Sequence, residues 1–255
     1  MTDGDSFNGL RGQLAEALRG EGGSLAGANK LCTVCVGLLG VDGAAISLVS
    51  GAIQATYGSS SPLSRRLDEY QFTFGEGPCM DAVTSGRPIA VADLHDRREQ
   101  RWPAYSGAVL KAGIRAVFAI PVMLAGSHVG SLDLFRADPG ALSDYEHAGA
   151  LLAAELAALP LVDLAAEHAG YPPEEQEQDG WSRLAALQRV EVYQATGMVM
   201  AQLNLDTSEA LARLRAHAFA QDLTASEVAW AIVERRLTLV ADDAWGDDSN
   251  KREES

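Results

Sequence analysis

The stretch Ala169-Gly170-Tyr171-Pro172-Pro173 runs straight into Glu174-Glu175-Gln176-Glu177-Gln178-Asp179-Gly180, and it constrains the fold more than any other part of the chain. Prolines remove backbone donors and clash with a continuing helix, while crowded like charges repel. A continuous helix through 169–180 is therefore excluded. The 255 residues suffice for one large or two ordinary domains, so the break reads as a boundary within a linker over 161–180.

Before the break, Leu10, Leu14 and Leu18 fall at helical spacing, which predicts a leading helix over 7–18 within an N-terminal segment 1–24. A second helix is expected from Leu25 to Leu39, ending at Gly40. The pattern then changes to strands. Ala44 to Val49 and Ile53 to Tyr57 read as a hairpin turning at Ser50-Gly51. Further strands are expected at Ile89 to Val91, Ala116 to Val122 and Gly130 to Phe135, the last two joined through Ala125-Gly126-Ser127-His128. Ser143-Asp144-Tyr145-Glu146 is a capping box that opens a helix to about Leu159. Helices flanking an antiparallel sheet make an α+β sandwich over 25–160.

After the break, residues 181–240 read as three helices. On a helical wheel Leu184, Leu187, Val192, Ala195, Met198, Val199 and Leu203 share one side. Ala186, Arg189, Tyr193, Thr196, Gly197 and Met200 share the other. A mid-helix Gly197 costs ~1 kcal/mol against Ala, so a close neighbour is expected there. Asp206 caps the next helix, with Leu211, Leu214 and Ala218 as its stripe, Arg215 beside the stripe and Arg213 off the other side. Thr224-Ala225-Ser226-Glu227 is a capping box for the third, whose stripe is Val228, Ile232 and Leu239, with Trp230 opposite.

With 47% apolar and 22% charged residues the chain is globular. No uninterrupted apolar run is long enough to span a bilayer, and the start Met1-Thr2-Asp3-Gly4-Asp5 lacks signal-peptide character. A cytoplasmic location is expected. The formal charge of −15 argues against nucleic acid, yet −10 of it lies in 161–180 and in an acidic, disordered tail over 241–255. From 181 to 240 six Arg balance six acids. Three cysteines, Cys32, Cys35 and Cys79, provide no disulfide framework. Cys32 and Cys35 read as core residues of the second helix. A metal site is not expected, because His95 and His128 stand alone. No phosphate loop, His-Glu-x2-His or Gly-x-Ser-x-Gly elbow occurs, so no catalytic residue is assigned and no cofactor is identified.

The run Phe74-Gly75-Glu76-Gly77-Pro78-Cys79-Met80-Asp81-Ala82, with Gly86-Arg87-Pro88-Ile89 and the strands at Ala119 to Val122 and Gly130 to Leu132, resembles the GAF family of sensory domains. The resemblance implies a small-molecule pocket edged by Gly75, Gly77, Pro78 and Cys79. The bland alternative is a tight turn capping a helix. Cys79 at a helix start could be an acidic, redox-sensing thiol. The resemblance also extends to GAF-type reductases of free methionine sulfoxide.

The spacing Arg189, Val192, Ala195, Gly197, Met200, then Ala210, Leu214, Arg215, Ala218, then Val228, Ala229, Ile232 resembles the ANTAR family. That resemblance implies an RNA-binding antiterminator in which a dimer grips paired hairpin loops. Arg189, Tyr193, Gly197, Met200, Arg213 and Arg215 become the candidate RNA contacts, since aromatic and guanidinium planes can cover unstacked bases. Thr196 stands where the family usually has Lys, and Leu211 where it often has an aromatic. One phosphate contact fewer flattens the salt dependence of binding. The combined reading is a signal-responsive bacterial antitermination regulator acting as a homodimer without a catalytic step. Its rivals are a dimeric GAF interaction protein without RNA binding and a cysteine-dependent reductase.

Overall fold

A computed structural model describes residues 3–18, 24–50, 53–167 and 189–240. The chain divides into two compact units, Met1–Val190 and Glu191–Ser255. Residues 168–180 of the expected linker, the wheel positions Leu184, Ala186 and Leu187, the tail 241–255 and Gly51 of the first hairpin turn lie outside the described residues.

The first unit runs α1 (Asp3–Ala17), α2 (Ser24–Leu39), β1 (Gly43–Ser50), β2 (Ile53–Ser59), α3 (Pro62–Phe74), α4 (Pro78–Ser85), β3 (Ile89–Val91), α5 (Pro103–Lys111), β4 (Ala116–Leu124), β5 (Ser127–Arg136) and α6 (Asp144–Glu167). The five strands form one antiparallel sheet in the order β2-β1-β5-β4-β3. Ala125 and Gly126 turn β4 into β5 with φ of 50° and 83°, the left-handed pair that matches strand twist in a two-residue hairpin.

Strand alternation gives the sheet two buried faces. Ile46, Leu48, Leu132 and Leu134 join Leu10, Leu14, Leu31, Cys32, Cys35 and Leu161 in one core, against α1, α2 and α6. Ala45 and Phe135 join Leu67, Tyr105 and Val109 in the other, against α3 and α5. The expected sandwich of helices and antiparallel sheet is therefore present, with helices on both faces.

Two elements differ from expectation. Helix α6 passes through Pro160 and continues to Glu167 rather than ending near Leu159, so residues 161–167, expected to be linker, are helical. Leu161 and Leu164 are buried, and two such side chains gain about 3–6 kcal/mol against about 3 kcal/mol for an interior proline. Its segment Asp144–Leu164 is long and apolar enough to cross a membrane by length and composition, but Ala150, Ala153, Ala157 and Leu161 are core residues of this unit. Helix α3 has no counterpart in the apolar pattern. Its inward face carries Ser64, Asp68, Gln71 and Thr73 among Leu67, Tyr70 and Phe72, which conceals the helical period.

The second unit contains α7 (Val190–Leu203), α8 (Thr207–Ala220) and α9 (Ala225–Val233). Both expected caps form. Asp206 accepts from the Glu209 amide at 2.8 Å while Glu209 accepts from the Asp206 amide at 3.0 Å; Thr224 and Glu227 do the same for α9 at 3.2 and 2.7 Å. Ala210, Leu214, Ala218, Val228, Ala229 and Ile232 are buried, Leu211 only partly, and Trp230 faces outward. Leu239 is buried too but lies beyond the end of α9.

Candidate functional site

The turn from Gly75 to Cys79 is built around one side chain, Gln71. Gly75 ends α3 at φ 70°, its amide donating to the Gln71 carbonyl at 3.0 Å. Gly77 sits at φ 152°, where a Cβ would come within 2.6 Å of Gln71 Cγ. Only glycine meets both demands. Pro78 starts α4, and the buried Cys79 donates its amide to Gln71 Oε1 at 2.8 Å. The turn thus both caps a helix and lines a buried polar cluster.

That cluster lies beneath the centre of the sheet. Asp68 on α3 accepts from Ser47 Oγ at 2.5 Å, Gln54 Nε2 at 2.8 Å, Thr56 Oγ1 at 2.5 Å and Gln71 Nε2 at 3.1 Å. Asp133 on β5 accepts from Ser131 Oγ and again from Gln71 Nε2, both at 2.5 Å. Gln71 therefore bridges two carboxyl groups and a helix start. All of these side chains are buried. Burial first, then the neighbouring Asp68 charge, pushes the Asp133 carboxyl well above the usual carboxylate range.

Tyr105 completes the enclosure from α5. Glu76 Oε1 accepts from the Ala104 and Tyr105 amides at 2.7 and 3.0 Å, fixing the start of that helix. The Tyr105 hydroxyl has no hydrogen-bond partner among the described residues. Burial, followed by the charges of Asp133, Asp68 and Cys79, pushes its phenol well above the ordinary tyrosine range and so disfavours ionisation. Asp68, Gln71, Tyr105 and Asp133 belong to no motif in the sequence and were not expected in the site. A signal was present in β5, where Ser131 and Asp133 alternate with Leu132 and Leu134.

The cysteines also differ from expectation in one respect. Cys32 and Cys35 are core residues as expected, and burial pushes Cys35 up to about 12. Cys79 is not an acidic thiol. Burial, then Asp133, Asp68 and Asp81, raises it well above the ordinary thiol range, outweighing the Met80 amide that points at its sulfur.

On α7 the wheel is right in outline and wrong at two positions. Tyr193 is 43% exposed, and Gly197 is open, with nothing among the described residues within 4 Å of where a Cβ would stand. The close neighbour expected at Gly197 is therefore not supplied by those residues. Met200 is half-buried, its sulfur accepting from Thr207 Oγ1 at 3.5 Å. Thr196, expected on the outer face, is buried and donates to the Val192 carbonyl at 2.7 Å. Arg189, also expected there, is 2% exposed within the first unit. Its guanidinium lies 4.5 Å from the Phe72 ring centroid, donates to Gln54 O and Oε1 at 3.1 and 3.3 Å, and pairs with Glu69 at 3.7 Å. Those contacts replace the water a buried guanidinium gives up. Arg213 and Arg215 on α8 are half-buried, and Arg213 donates to the Val240 carbonyl at 3.2 Å.

Comparison with known proteins places both units. A model of the GAF domain matches residues 28–161 and a model of the ANTAR domain matches 183–233. No curated protein matches the chain. Similar solved structures include the GAF domain of a phosphoenolpyruvate-protein phosphotransferase from Coxiella burnetii, at 16% identity and TM-score 0.51, covering 66% of this chain and 99% of that one. Another is the GAF domain of the Acinetobacter phosphoenolpyruvate-protein phosphotransferase, at 14% identity and TM-score 0.49, covering 68% and 100%. A third is the free methionine-R-sulfoxide reductase of Neisseria meningitidis in complex with its substrate, at 18% identity and TM-score 0.48, covering 67% and 96%. At such identities the likeness concerns the fold alone. With a five-stranded antiparallel sheet between helices, a GAF match over more than half its length and an ANTAR match on the helices that follow, the chain belongs to the GAF family and has a GAF-ANTAR architecture.

Proposed function

We propose that this chain is a signal-responsive regulator of transcription antitermination. The second unit binds hairpin loops in nascent RNA, the chain acts as a homodimer in the bacterial cytoplasm, and the first unit senses a small molecule against the turn that carries Gly75, Gly77, Pro78 and Cys79. The two matched domains support a GAF-controlled RNA-binding regulator in general. The observation that carries the finer reading is the outward stripe of α7. Tyr193, Gly197 and Met200 follow one another at helical spacing, and the first two are exposed. An exposed aromatic next to an open glycine offers a stacking plane with room for a base to approach the backbone. Arg213 and Arg215 on α8 supply the positive charge, whereas the buried Arg189 is removed from the contact set.

The reading has no catalytic step. A sulfoxide reductase needs a thiolate nucleophile, and against that reading stands the burial of Cys79, which with the neighbouring carboxyl groups raises its thiol well above the ordinary range.

The test is the electrophoretic mobility of a two-hairpin leader RNA with the full chain at two salt concentrations. Tyr193→Ala is expected to weaken binding by roughly 5- to 150-fold, the effect of losing one stacked base. Gly197→Leu is expected to weaken it by closing the approach. Arg213→Ala is expected to reduce the salt slope by about one phosphate contact. Absence of salt-sensitive binding of the wild type to any two-hairpin leader overturns the reading.

A further inference from the structure

We propose that the first unit binds one divalent first-row transition-metal ion through Asp68, Cys79 and Asp133, with Tyr105 as the neighbouring fourth oxygen. This concerns the GAF unit alone and stands or falls independently of RNA binding.

The ligand atoms are already assembled. One carboxylate oxygen of Asp68, the sulfur of Cys79 and one carboxylate oxygen of Asp133 all lie within 4.8 Å of one another, and all three residues are buried. Tetrahedral ligands on bonds of about 2.1 Å to oxygen and about 2.3 Å to sulfur stand about 3.6 Å apart, so closing on an ion needs shifts of about an ångström at most. The three come from separate elements, α3, α4 and β5, each held by its own packing. No short sequence motif announces such a set.

The surroundings orient these groups with neutral donors, and the two carboxyl groups also hydrogen-bond each other. Every hydrogen-bond donor named above on Asp68 and Asp133 is neutral: Ser47, Gln54, Thr56, Gln71 and Ser131. Gln71 Nε2 touches both carboxyl groups, and the Met80 amide points at the Cys79 sulfur. This is the kind of outer shell that aims metal ligands. An independent observation points into the same place. The wholly buried Tyr105 hydroxyl has no partner among the described residues, and the groups whose charge it feels are Asp133, Asp68 and Cys79. A buried, unsatisfied hydroxyl costs about 1–3 kcal/mol. A cation among these groups gives the hydroxyl a partner and offsets the build-up of negative charge that raises Asp133 and Cys79.

Two carboxylates, a thiolate and a phenol oxygen form a mixed hard and soft donor set. Such a set suits an ion of borderline character such as Zn2+ or Fe2+ and disfavours Mg2+ and Ca2+, which take oxygen alone. On binding, the Cys79 thiol proton and the proton shared by the Asp68 and Asp133 carboxyl groups leave to solvent while sulfur and carboxylate oxygens bond to the metal, with no change in oxidation state.

The experiment uses Co2+ added to the full-length protein after treatment with a chelator, followed by absorption spectroscopy, with folding checked by circular dichroism. The expected result is one equivalent of Co2+ per chain and a sulfur-to-cobalt charge-transfer band, both lost when Zn2+ is added and neither produced by Mg2+. Cys79→Ser is expected to abolish the band, and Gln71→Leu to lower affinity by roughly 10- to 100-fold. Cys32→Ala with Cys35→Ala keeps the band, which assigns it to Cys79 even where Cys79→Ser fails to fold. Wild-type protein without a charge-transfer band, or a band that vanishes in the Cys32 and Cys35 variant, overturns the proposal.

Discussion

At the residue scale, Gln71 has the most connections to lose. Its amide nitrogen donates to Asp68 and Asp133, and its oxygen accepts from the Cys79 amide. Gln71→Leu keeps the volume and removes all three bonds, leaving buried groups unsatisfied at about 1–3 kcal/mol each. The variant is expected to lose at least about 2 kcal/mol of stability in the first unit, read by urea denaturation followed at the aromatic residues of that unit; unchanged stability would show that the amide is dispensable. Gly77, by contrast, is legible in the sequence. A glycine one residue before a Pro-initiated helix already signals an unusual backbone. The obstacle to a Cβ is not legible there, because the side chain of Gln71 six residues earlier supplies it.

At the element scale, the helix caps of the second unit were predictable because a capping box is local: donor and acceptor lie three residues apart on one segment. Thr224→Ala is expected to cost about 1 kcal/mol, seen as faster hydrogen exchange of the α9 amides, and no change would show that the cap is idle. Asp206 adds a pH dependence. The Glu209 amide, then Ser208, hold its carboxyl below the usual carboxylate range. A carboxyl lowered by folding contributes its stability above its unfolded value, near pH 4, and loses it as pH falls through the folded value. NMR titration should show the Glu209 amide losing protection on acidification below about pH 4. Asp206→Asn, which caps without titrating, should flatten the curve; an identical titration in that variant would place the cause elsewhere. Helix α3 shows where element prediction stops. Its inward side chains serve the polar cluster, so the apolar period that announces most helices is broken.

At the scale of the whole molecule, charge and topology divide the explanatory work. The tail 241–255 carries six acids against Lys251 and Arg252. Deleting it is expected to strengthen RNA binding at low salt, with the gain fading as screening shortens the reach of charge; a gain that persists at high salt would mean that the tail competes by contact. The sequence by itself determined the α+β and all-α characters of the two parts, the hairpin between β4 and β5, and both capping boxes. These depend on interactions between near neighbours or on a period repeated along one element. Only the tertiary structure decided that Arg189 and Thr196 are buried, that the Cys79 thiol is buried and raised above its ordinary range, and that Asp68, Cys79 and Asp133 come together. In each case the deciding partners come from distant segments, Gln54 and Phe72 for Arg189 and the strand β5 for Cys79. Burial and charge at such positions follow from which segments meet, a relation that no local spacing encodes.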